Sequence, residues 1–411
     1  MKISERIFRA NYAIRDNAVL AEVEKLKKSG RTIFELNIGD PGGMEGAYGF
    51  AVPKHIVAAY VAALKSGKNE GYATSQGDIF LRKTIQKDAL SRGIRDVNVE
   101  NIVTGQGVSE IIDFLFASLL DKGKNVVLPR PDYPLYTALA GYYEGDVRYY
   151  DLDPENNWEP RPEQIAGLID ENTIAVILIN PNNPTGTAYD APLLKRIISA
   201  VSKAGGNCVP IISDEIYREL RFSGKHVPLA SLSTTLPIIT FDGLSKNHYA
   251  PGYRLGCAIF SNFCKKDCAC LMDAVTKLGG FRLSANKPAQ HAFRAALEDR
   301  AKNAAIYARH LKQLKARTKY AYSRLKKIPG ISVDEPKGAF YILPKASGPW
   351  KNDKEFQLAL LREAGVLVVP GSGFAMDPKG LYFRVVTLPP VPAQKKAYDA
   401  LEEFMKKHLG K

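Results

Sequence analysis

Short, continuously apolar runs alternate with amphipathic stretches through the middle of the chain. The runs are predicted to be strands: Asn125–Leu128, Val147–Leu152, Ile174–Ile179, Val209–Ile212, Ile238–Phe241 and Cys257–Phe260. Apolar residues at helical spacing lie between many of them, as in Ser109–Leu120 and Ala191–Lys203. Strands that are apolar throughout and alternate with helices are typical of a mostly parallel α/β sheet.

The pattern differs towards the two ends of the chain. Near the start, Asn17–Lys28 and Pro53–Leu64 show helical spacing. After about residue 285, a long helical stretch over Pro288–Lys327 precedes several short strand candidates. These candidates are Ile331–Val333, Ala339–Leu343, Val366–Val369 and Tyr382–Val386. We predict a smaller α+β domain in this part of the chain.

Length and composition indicate an ordinary globular protein. The 411 residues can bury a large core and are expected to form two domains. Apolar residues make up 45% and charged residues 24% of the chain. No apolar run approaches the roughly 18 residues of a membrane span, and the N-terminus lacks the apolar centre of a signal peptide. We therefore expect a cytoplasmic protein that has no membrane partner.

The net charge of +14 does not by itself indicate a nucleic-acid partner. Proteins that bind nucleic acids usually gather Lys and Arg on one face, often with aromatic residues that contact bases. Here the basic residues are spread along the chain. We interpret them as a basic surface that attracts anionic substrates, and we expect no nucleic-acid partner.

Five cysteines is an odd count, and a disulfide framework is not expected for a chain of this size and compartment. Cys264, Cys268 and Cys270 form one cluster within a predicted helix. Zinc sites usually have two such pairs, or cysteine together with histidine. We interpret the cluster as small packed thiols and predict no metal site.

Polar motifs follow three consecutive predicted strands. They are Asn180–Gly186 with the sequence Asn-Pro-Asn-Asn-Pro-Thr-Gly, Ser213–Tyr217 with Ser-Asp-Glu-Ile-Tyr, and Gly243–Lys246 with Gly-Leu-Ser-Lys. Ligands of open α/β sheets bind outside the carboxyl ends of the strands. The three motifs therefore predict a functional site at that edge.

These motifs, with Arg254 eight residues after Lys246, resemble those of class I/II aminotransferases of the fold-type-I pyridoxal phosphate superfamily. The resemblance extends from about Tyr12 to Arg384, nearly the whole chain. It implies a mostly parallel seven-stranded sheet flanked by helices, together with a smaller α+β domain. The implied boundaries are an N-terminal arm that packs partly on the small domain (1–45), a large cofactor-binding domain (46–285) and a small C-terminal domain (286–411).

The resemblance implies pyridoxal 5'-phosphate, an aldehyde that needs an amine. Lys246 is the implied Schiff-base lysine, and burial beside the cofactor's positive charge would lower its pKa. Asp214 would pair with the pyridine nitrogen and keep the ring a good electron sink; an N-cap role after a strand is the alternative. Tyr217 and Asn183 would hydrogen-bond the 3' oxygen of the ring, with a turn role as the alternative for Asn183.

A phosphate needs backbone N–H groups, small side chains and a cation. Thr104–Glu110, with the sequence Thr-Gly-Gln-Gly-Val-Ser-Glu, precedes a predicted helix and supplies the first two. It superficially suggests a dinucleotide fingerprint, but Glu110 occupies the third glycine position. The phosphate contacts that the resemblance implies are Gly107, Val108, Ser109 and the cation Arg254.

Three further cofactor contacts are implied. Many relatives have a hydroxyl three residues before the lysine; that residue is Gly243 here, and Ser245 is the expected replacement. Tyr133 resembles the aromatic residue that stacks on the pyridine ring, with a plain core tyrosine as the alternative. Tyr72 resembles the tyrosine that reaches the phosphate of a neighbouring subunit. A homodimer with composite active sites is therefore implied.

The α-carboxylate of a substrate suits a bidentate guanidinium. Arg384 resembles the arginine that supplies it, and an ordinary ion pair is the alternative. Gly39 is expected to allow a close backbone approach on the other side of that carboxylate, and Asn183 is also an expected substrate contact. Tyr12 and Arg15 of the N-terminal arm are the remaining expected substrate contacts.

The expected reaction is a ping-pong transfer of an amino group between an L-amino acid and a 2-oxo acid. Alanine with 2-oxoglutarate is the first expectation for the substrates, and aspartate or aromatic amino acids are the second. Arg282 and Arg15 are both candidates for the cation that meets a second carboxylate. The segments that look like the alanine aminotransferase branch are Asn11–Arg15, Asn37–Pro41, Gly243–Lys246 and Arg282–Asn286.

Two other functions use the same residues. A lyase acting on sulfur amino acids would form a 2-oxo acid without needing an amino acceptor. A non-catalytic regulator would normally add a DNA-binding module, whereas the match here begins within the first fifteen residues.

Overall fold

The structure, a computed structural model, describes residues 3–10, 12, 16–42, 46–206, 208–301 and 304–410. Its helices are α1 Glu5–Arg9, α2 Asn17–Lys28, α3 Lys54–Lys65, α4 Ile79–Ser91, α5 Val108–Leu119, α6 Pro134–Tyr142, α7 Pro162–Gly167, α8 Ala191–Gly205, α9 Lys265–Phe281, α10 Lys287–Glu298, α11 Ala304–Leu325, α12 Asp353–Ala364 and α13 Val391–Leu409. Its strands are β1 Phe34–Glu35, β2 Ile102–Gly105, β3 Asn125–Arg130, β4 Asp146–Asp153, β5 Glu159–Pro160, β6 Thr173–Ile179, β7 Ile211–Asp214, β8 Ile238–Gly243, β9 Gly256–Ser261, β10 Ile331–Ser332, β11 Tyr341–Ile342, β12 Lys345–Ala346, β13 Val366–Leu367, β14 Val369–Pro370 and β15 Phe383–Val386.

One large sheet contains the strands predicted for the middle of the chain. Its spatial order is β2-β9-β8-β7-β6-β3-β4-β5. Neighbouring strands from β8 to β4 are parallel, whereas β9 is antiparallel to both β8 and β2. The predicted α/β class with a mostly parallel sheet is confirmed. The sheet differs from the seven strands expected because the two-residue edge strand β5 adds an eighth beside β4.

The strand β6 shows why these strands are apolar throughout. Val176 and Leu178 face one core cluster, whereas Ala175, Ile177 and Ile179 face another on the opposite side of the sheet. Helix α8 contributes its apolar face to the first cluster and helix α5 contributes to the second. Both faces of the sheet are therefore covered, and a polar residue on either side would lose its contact with water.

Segments near the two ends of the chain pack together. Strand β1 pairs in parallel with β13, and α2 packs Val19 and Val23 against Leu361 and Leu367. Helices α11, α12 and α13 enclose a further core with the short strands. Helix α10, just after the expected boundary at residue 286, packs against α3 and α4 in the core of the large sheet. The division into three parts, with its two boundaries, remains a prediction.

The long helical stretch predicted over Pro288–Lys327 is two helices, α10 and α11. Helix α10 ends at Glu298, and helix α11 begins at Ala304. In the break, Arg300 forms an ion pair with Glu219, and its guanidinium lies 5.6 Å from the Tyr307 ring centroid. This tertiary contact, which joins residues about eighty positions apart, was not visible in the periodicity.

The cysteine cluster lies at the start of helix α9. Cys264 is the N-cap and is exposed, Cys268 is buried, and Cys270 is exposed. Burial raises the pKa of the Cys268 thiol to about 11, which keeps it protonated and unreactive. Separately, no helix in the described segments combines the length and apolarity needed to cross a membrane.

Candidate active site

Strands β6, β7 and β8 end side by side and bring the three polar motifs to one edge of the sheet. A cavity of about 560 Å³ opens there. Most of the residues expected at the site line it: Tyr12, Gly39, Val108, Ser109, Tyr133, Asn183, Asp214, Tyr217, Ser245, Lys246, Arg254 and Arg384. Motifs separated by more than three hundred residues in sequence therefore share one chamber.

Asp214 is the last residue of β7 and is 5% exposed. Its Oδ2 accepts a hydrogen bond from the Tyr136 hydroxyl at 3.0 Å, and its Oδ1 accepts one from the Ile216 N–H at 3.2 Å. Burial outweighs these donors and raises the pKa of Asp214 to about 6. The carboxylate is thus held in a fixed orientation and favours a cationic partner.

Lys246 lies in the loop that follows β8, and its amine reaches the opposite wall of the cavity. Nζ donates a hydrogen bond to the Gly39 carbonyl at 2.6 Å and lies 5.8 Å from the Phe340 ring centroid. Burial, with contributions from Arg384 and Arg254, lowers the pKa of Lys246 to about 8. At a pKa of about 8, roughly a tenth of the amine is neutral at pH 7, far more than for an unperturbed lysine, and the neutral form is the nucleophile.

The loop that carries Lys246 is anchored on both sides by Asp242. Its Oδ1 accepts hydrogen bonds from the Gly243 N–H and from Asn247 Nδ2, each at 2.8 Å. Its Oδ2 pairs with Arg218 Nε at 2.8 Å, and both side chains are nearly inaccessible to solvent. Asn247 Oδ1 also accepts the Glu219 N–H at 3.1 Å. These buried bonds fix the backbone next to the lysine on both sides.

Gly243, the position where a hydroxyl was expected from the resemblance, has no room for a side chain. A Cβ there would lie 2.9 Å from both Gly256 Cα and the Leu255 carbonyl oxygen. Close packing of β8 against β9 therefore requires glycine at this position. Ser245, the expected replacement, lines the cavity.

Helix α5 begins at the floor of the cavity. Its N-cap, Gly107, has a φ of 76°, and a Cβ there would lie 2.6 Å from Arg254 Nη2. Arg254 also donates to the Gln106 carbonyl at 3.2 Å and to the Pro251 carbonyl at 3.1 Å. The first N–H groups of a helix have no partner within it. A helix N-terminus beside a guanidinium is well suited to binding an anion.

Arg384, in β15, closes the cavity from the C-terminal part of the chain. It is 3% exposed; its Nη1 donates to Asn183 Oδ1 at 3.0 Å and its Nη2 to the Asn37 carbonyl at 2.5 Å. Its guanidinium lies 4.6 Å from the Tyr341 ring centroid and 4.9 Å from that of Phe374. Nε is buried and has no partner among the described residues. Burial lowers the pKa of Arg384, so this cation would gain from an anionic ligand.

Two tyrosines that sequence reasoning missed support the site. The Tyr341 hydroxyl lies 3.0 Å from the Tyr217 hydroxyl and would lie 2.2 Å from a Cβ at Gly39, which therefore must be glycine. Tyr136 holds Asp214, and its ring packs edge-to-face with Tyr133 at 6.2 Å. Tyr136 lies in the first turn of α6, three residues after its N-cap Tyr133, and this spacing was a usable signal. Tyr341 offered none.

Some expected residues lie outside this cavity. Tyr72 is 76% exposed and is not among the residues that line it. Gly107 lies beneath the lining at the start of α5. Arg15 lies outside the described residues.

A profile of the family described as "Aminotransferase class I and II" matches residues 31–395. The chain belongs to the class I and II aminotransferases. This aminotransferase is 34% identical over 406 residues to the glutamate-pyruvate aminotransferase AlaA of Haemophilus influenzae, covering 98% of this chain and 97% of that protein. It is 30% identical to the tyrosine aminotransferase of Mus musculus, covering 95% of this chain and 86% of that one.

A solved structure gives the same result. An alanine aminotransferase from Pyrococcus furiosus matches with a TM-score of 0.92 and 38% identity, over 99% of this chain and 100% of that one. The predictions of an aminotransferase and of its fold are confirmed by these comparisons. The roles of the individual site residues remain predictions.

Proposed function

We propose that this aminotransferase uses pyridoxal 5'-phosphate to move an amino group between alanine and a 2-oxo acid, with 2-oxoglutarate as the acceptor. The observation that carries the proposal is one cavity that joins an amine of lowered pKa, Lys246, to a buried guanidinium, Arg384. An amine of this kind suits covalent work on an aldehyde, and the guanidinium suits a carboxylate.

The residues of the cavity fit the proposed cofactor. The start of α5 and Arg254 offer N–H groups and a positive charge for a phosphate. Gly107 leaves open the space that a Cβ would fill against Arg254. At the other end, the buried carboxylate of Asp214 matches a protonated ring nitrogen. The cavity thus combines groups that suit a phosphate, a carboxylate that suits a protonated ring nitrogen, and the amine of Lys246.

When bound, the cofactor supplies an electron sink for the pair of electrons released at the substrate Cα. Asp214 would hold the proton on the ring nitrogen, and Tyr136 would keep its carboxylate in place. Tyr217 and Asn183 would donate hydrogen bonds to the 3' oxygen, and Tyr133 would cover the ring. These contacts orient the reacting bond and exclude water from it.

Lys246 would take the proton from the substrate Cα once the amino donor has displaced it. Its pKa of about 8 places the neutral amine within reach at physiological pH, as a general base requires. Arg384 would bind the α-carboxylate, with the Gly39 backbone and Asn183 beside it. The second half of the reaction runs the same proton transfer in reverse with a 2-oxo acid.

Alanine is preferred in the proposal because the glutamate-pyruvate and alanine enzymes are the stronger matches at full length. The match to a tyrosine aminotransferase keeps aromatic amino acids as the second candidate. The test is a screen of amino acids in the half-reaction, followed by kcat/KM for each donor with 2-oxoglutarate. We expect alanine to exceed aspartate and tyrosine. A preference for either by about tenfold, roughly 1.4 kcal/mol, would overturn the substrate but not the mechanism.

A lyase acting on sulfur amino acids remains the alternative activity. Steady formation of a 2-oxo acid from an amino acid without any amino acceptor would support it. We also propose a homodimer in which exposed Tyr72 of one subunit completes the site of the other. Location in the cytoplasm remains a prediction.

A further inference from the structure

Arg282, a candidate for the cation that meets a second substrate carboxylate, bonds to groups outside the cavity. It is the C-cap of α9 and is not among the residues that line the cavity. Its Nε pairs with Glu110 Oε2 at 2.6 Å, and its Nη2 donates to the Thr104 carbonyl at 2.9 Å. The side chains of Arg282 and Glu110 are 13% and 19% exposed. The pair is therefore largely protected from solvent, and salt screens a protected ion pair less than an exposed one.

Glu110 in turn holds the loop in front of helix α5. It lies in the first turn of that helix, and its Oε2 accepts the Gln106 N–H at 2.7 Å. The contact resembles a capping box, in which an early acidic residue reaches back to the backbone before the helix. The same oxygen would lie 3.2 Å from a Cβ at Gly105, so it fits closely over the loop. Glu110 and Arg282 thus fix both sides of the turn that ends in Gly107.

We propose that Arg282 and Glu110 act together as a positioning pair for the phosphate-binding turn, residues 105–109. This inference rests on the proposed function. Glu110 shapes the turn through the Gln106 N–H, but its negative charge opposes an anion bound at the same helix end. Arg282 neutralises that charge. The acid can therefore shape the turn without repelling the cofactor phosphate.

The charges predict opposite effects on phosphate binding when Arg282 and Glu110 are replaced. Removing Arg282 leaves a carboxylate without its cation beside the positive end of the helix dipole, which lowers the attraction for an anion. Replacing Glu110 by Gln keeps an oxygen for the Gln106 N–H and removes the negative charge. The loss caused by the first change should therefore be reversed by the second.

The experiment compares apoprotein variants for two ligands, pyridoxal phosphate and pyridoxal, which lacks the phosphate. Apparent dissociation constants are measured from the absorbance change on binding. We expect Arg282→Met to weaken pyridoxal phosphate by about tenfold or more and to change pyridoxal little. Arg282→Met with Glu110→Gln should regain most of the affinity, and Arg282→Lys should lose less than Arg282→Met.

The matched control is Arg294→Met, because Arg294 pairs with Glu298 at 3.0 Å on an exposed helix surface. It should bind both ligands as the wild type does. Circular dichroism and urea titration show that each variant folds.

Equal weakening of both ligands, or failure of Glu110→Gln to restore affinity, would overturn the pairing role. A wild-type apoprotein that binds no pyridoxal phosphate would contradict the proposed function itself. Tight binding by the wild type and by Arg282→Met would overturn only this inference.

Discussion

Lys246 differs from a surface lysine because its amine lies in the cavity and has a lowered pKa. Burial lowers its pKa to about 8, against roughly 10.4 for an unperturbed lysine. The neutral amine is the reactive form, so its fraction increases as the pH rises through the pKa. We expect the initial rate at which the apoprotein couples to pyridoxal phosphate to rise with a midpoint near pH 8.

Borohydride trapping at a series of pH values, followed by peptide mapping, measures this rate and its site. The label should be on Lys246 and absent from Lys246→Arg. A midpoint near pH 10, or a label on another lysine, would refute the assignment.

Arg384 is proposed to bind the substrate rather than the cofactor. Truncation to Ala removes a charge-assisted contact of about 1.5–3 kcal/mol. We therefore expect alanine and pyruvate to bind roughly tenfold to a hundredfold more weakly, while the dissociation constant of pyridoxal phosphate changes little. Arg384→Lys retains the charge but not the bidentate geometry of the guanidinium. Its affinity for alanine and pyruvate should therefore lie between those of the wild type and Arg384→Ala. The opposite result, loss of cofactor affinity with normal substrate binding, would show that Arg384 was misassigned.

Site residues that occur in short motifs could be predicted from the sequence, because each motif follows a strand or precedes a helix. Tyr341 could not be found this way. It reaches the site only because β11 pairs with β15 and so lies beside Arg384. That adjacency depends on strand pairing in the C-terminal part of the chain, and the local pattern does not contain it.

At the scale of elements, the apolar strands in the middle of the chain were predictable, whereas strand β2 was not. The run Ile174–Ile179 differs from β6 by one residue. Strand β2, by contrast, is four residues long and was overlooked because it leads directly into a glycine-rich turn. Its antiparallel partner β9 was found as a strand, but its direction depends on the connection and not on its own residues.

Ile177 tests the buried strand β6 directly. It is fully buried at the centre of the sheet, so Ile177→Ala leaves a cavity between β6 and its helices. We expect the free energy of unfolding to fall by about 2–5 kcal/mol. The measurement is a urea titration of the apoprotein by circular dichroism. Val57→Ala, at a position 37% exposed on α3, is the control and should change it by less than about 0.5 kcal/mol. Equal effects would contradict the assigned core.

At the scale of the whole molecule, the proposed composite site predicts complementation between subunits. Lys246→Ala and Tyr72→Ala should each be strongly impaired as homodimers. In a mixed dimer, the subunit that retains Lys246 receives an intact Tyr72 from its partner. One of the two active sites of the dimer is therefore restored. Activity should therefore rise when the two variants are unfolded and refolded together.

Sedimentation velocity should show the dimer in each case. Remixing without subunit exchange is the control and should give no gain. Full activity of Tyr72→Ala alone, or a monomeric active enzyme, would contradict the composite site.

The bond from Arg384 to the Asn37 carbonyl joins segments near opposite ends of the chain. Apart from Tyr72, the residues proposed for the cofactor lie between Gly107 and Arg254, whereas those proposed for the substrate lie largely outside that interval. Evolution can therefore alter which amino acid is accepted through changes in the two outer segments of the gene. The central segment can meanwhile stay under constant selection for the cofactor. Diversification of preference and preservation of chemistry are in this way separated along the coding sequence.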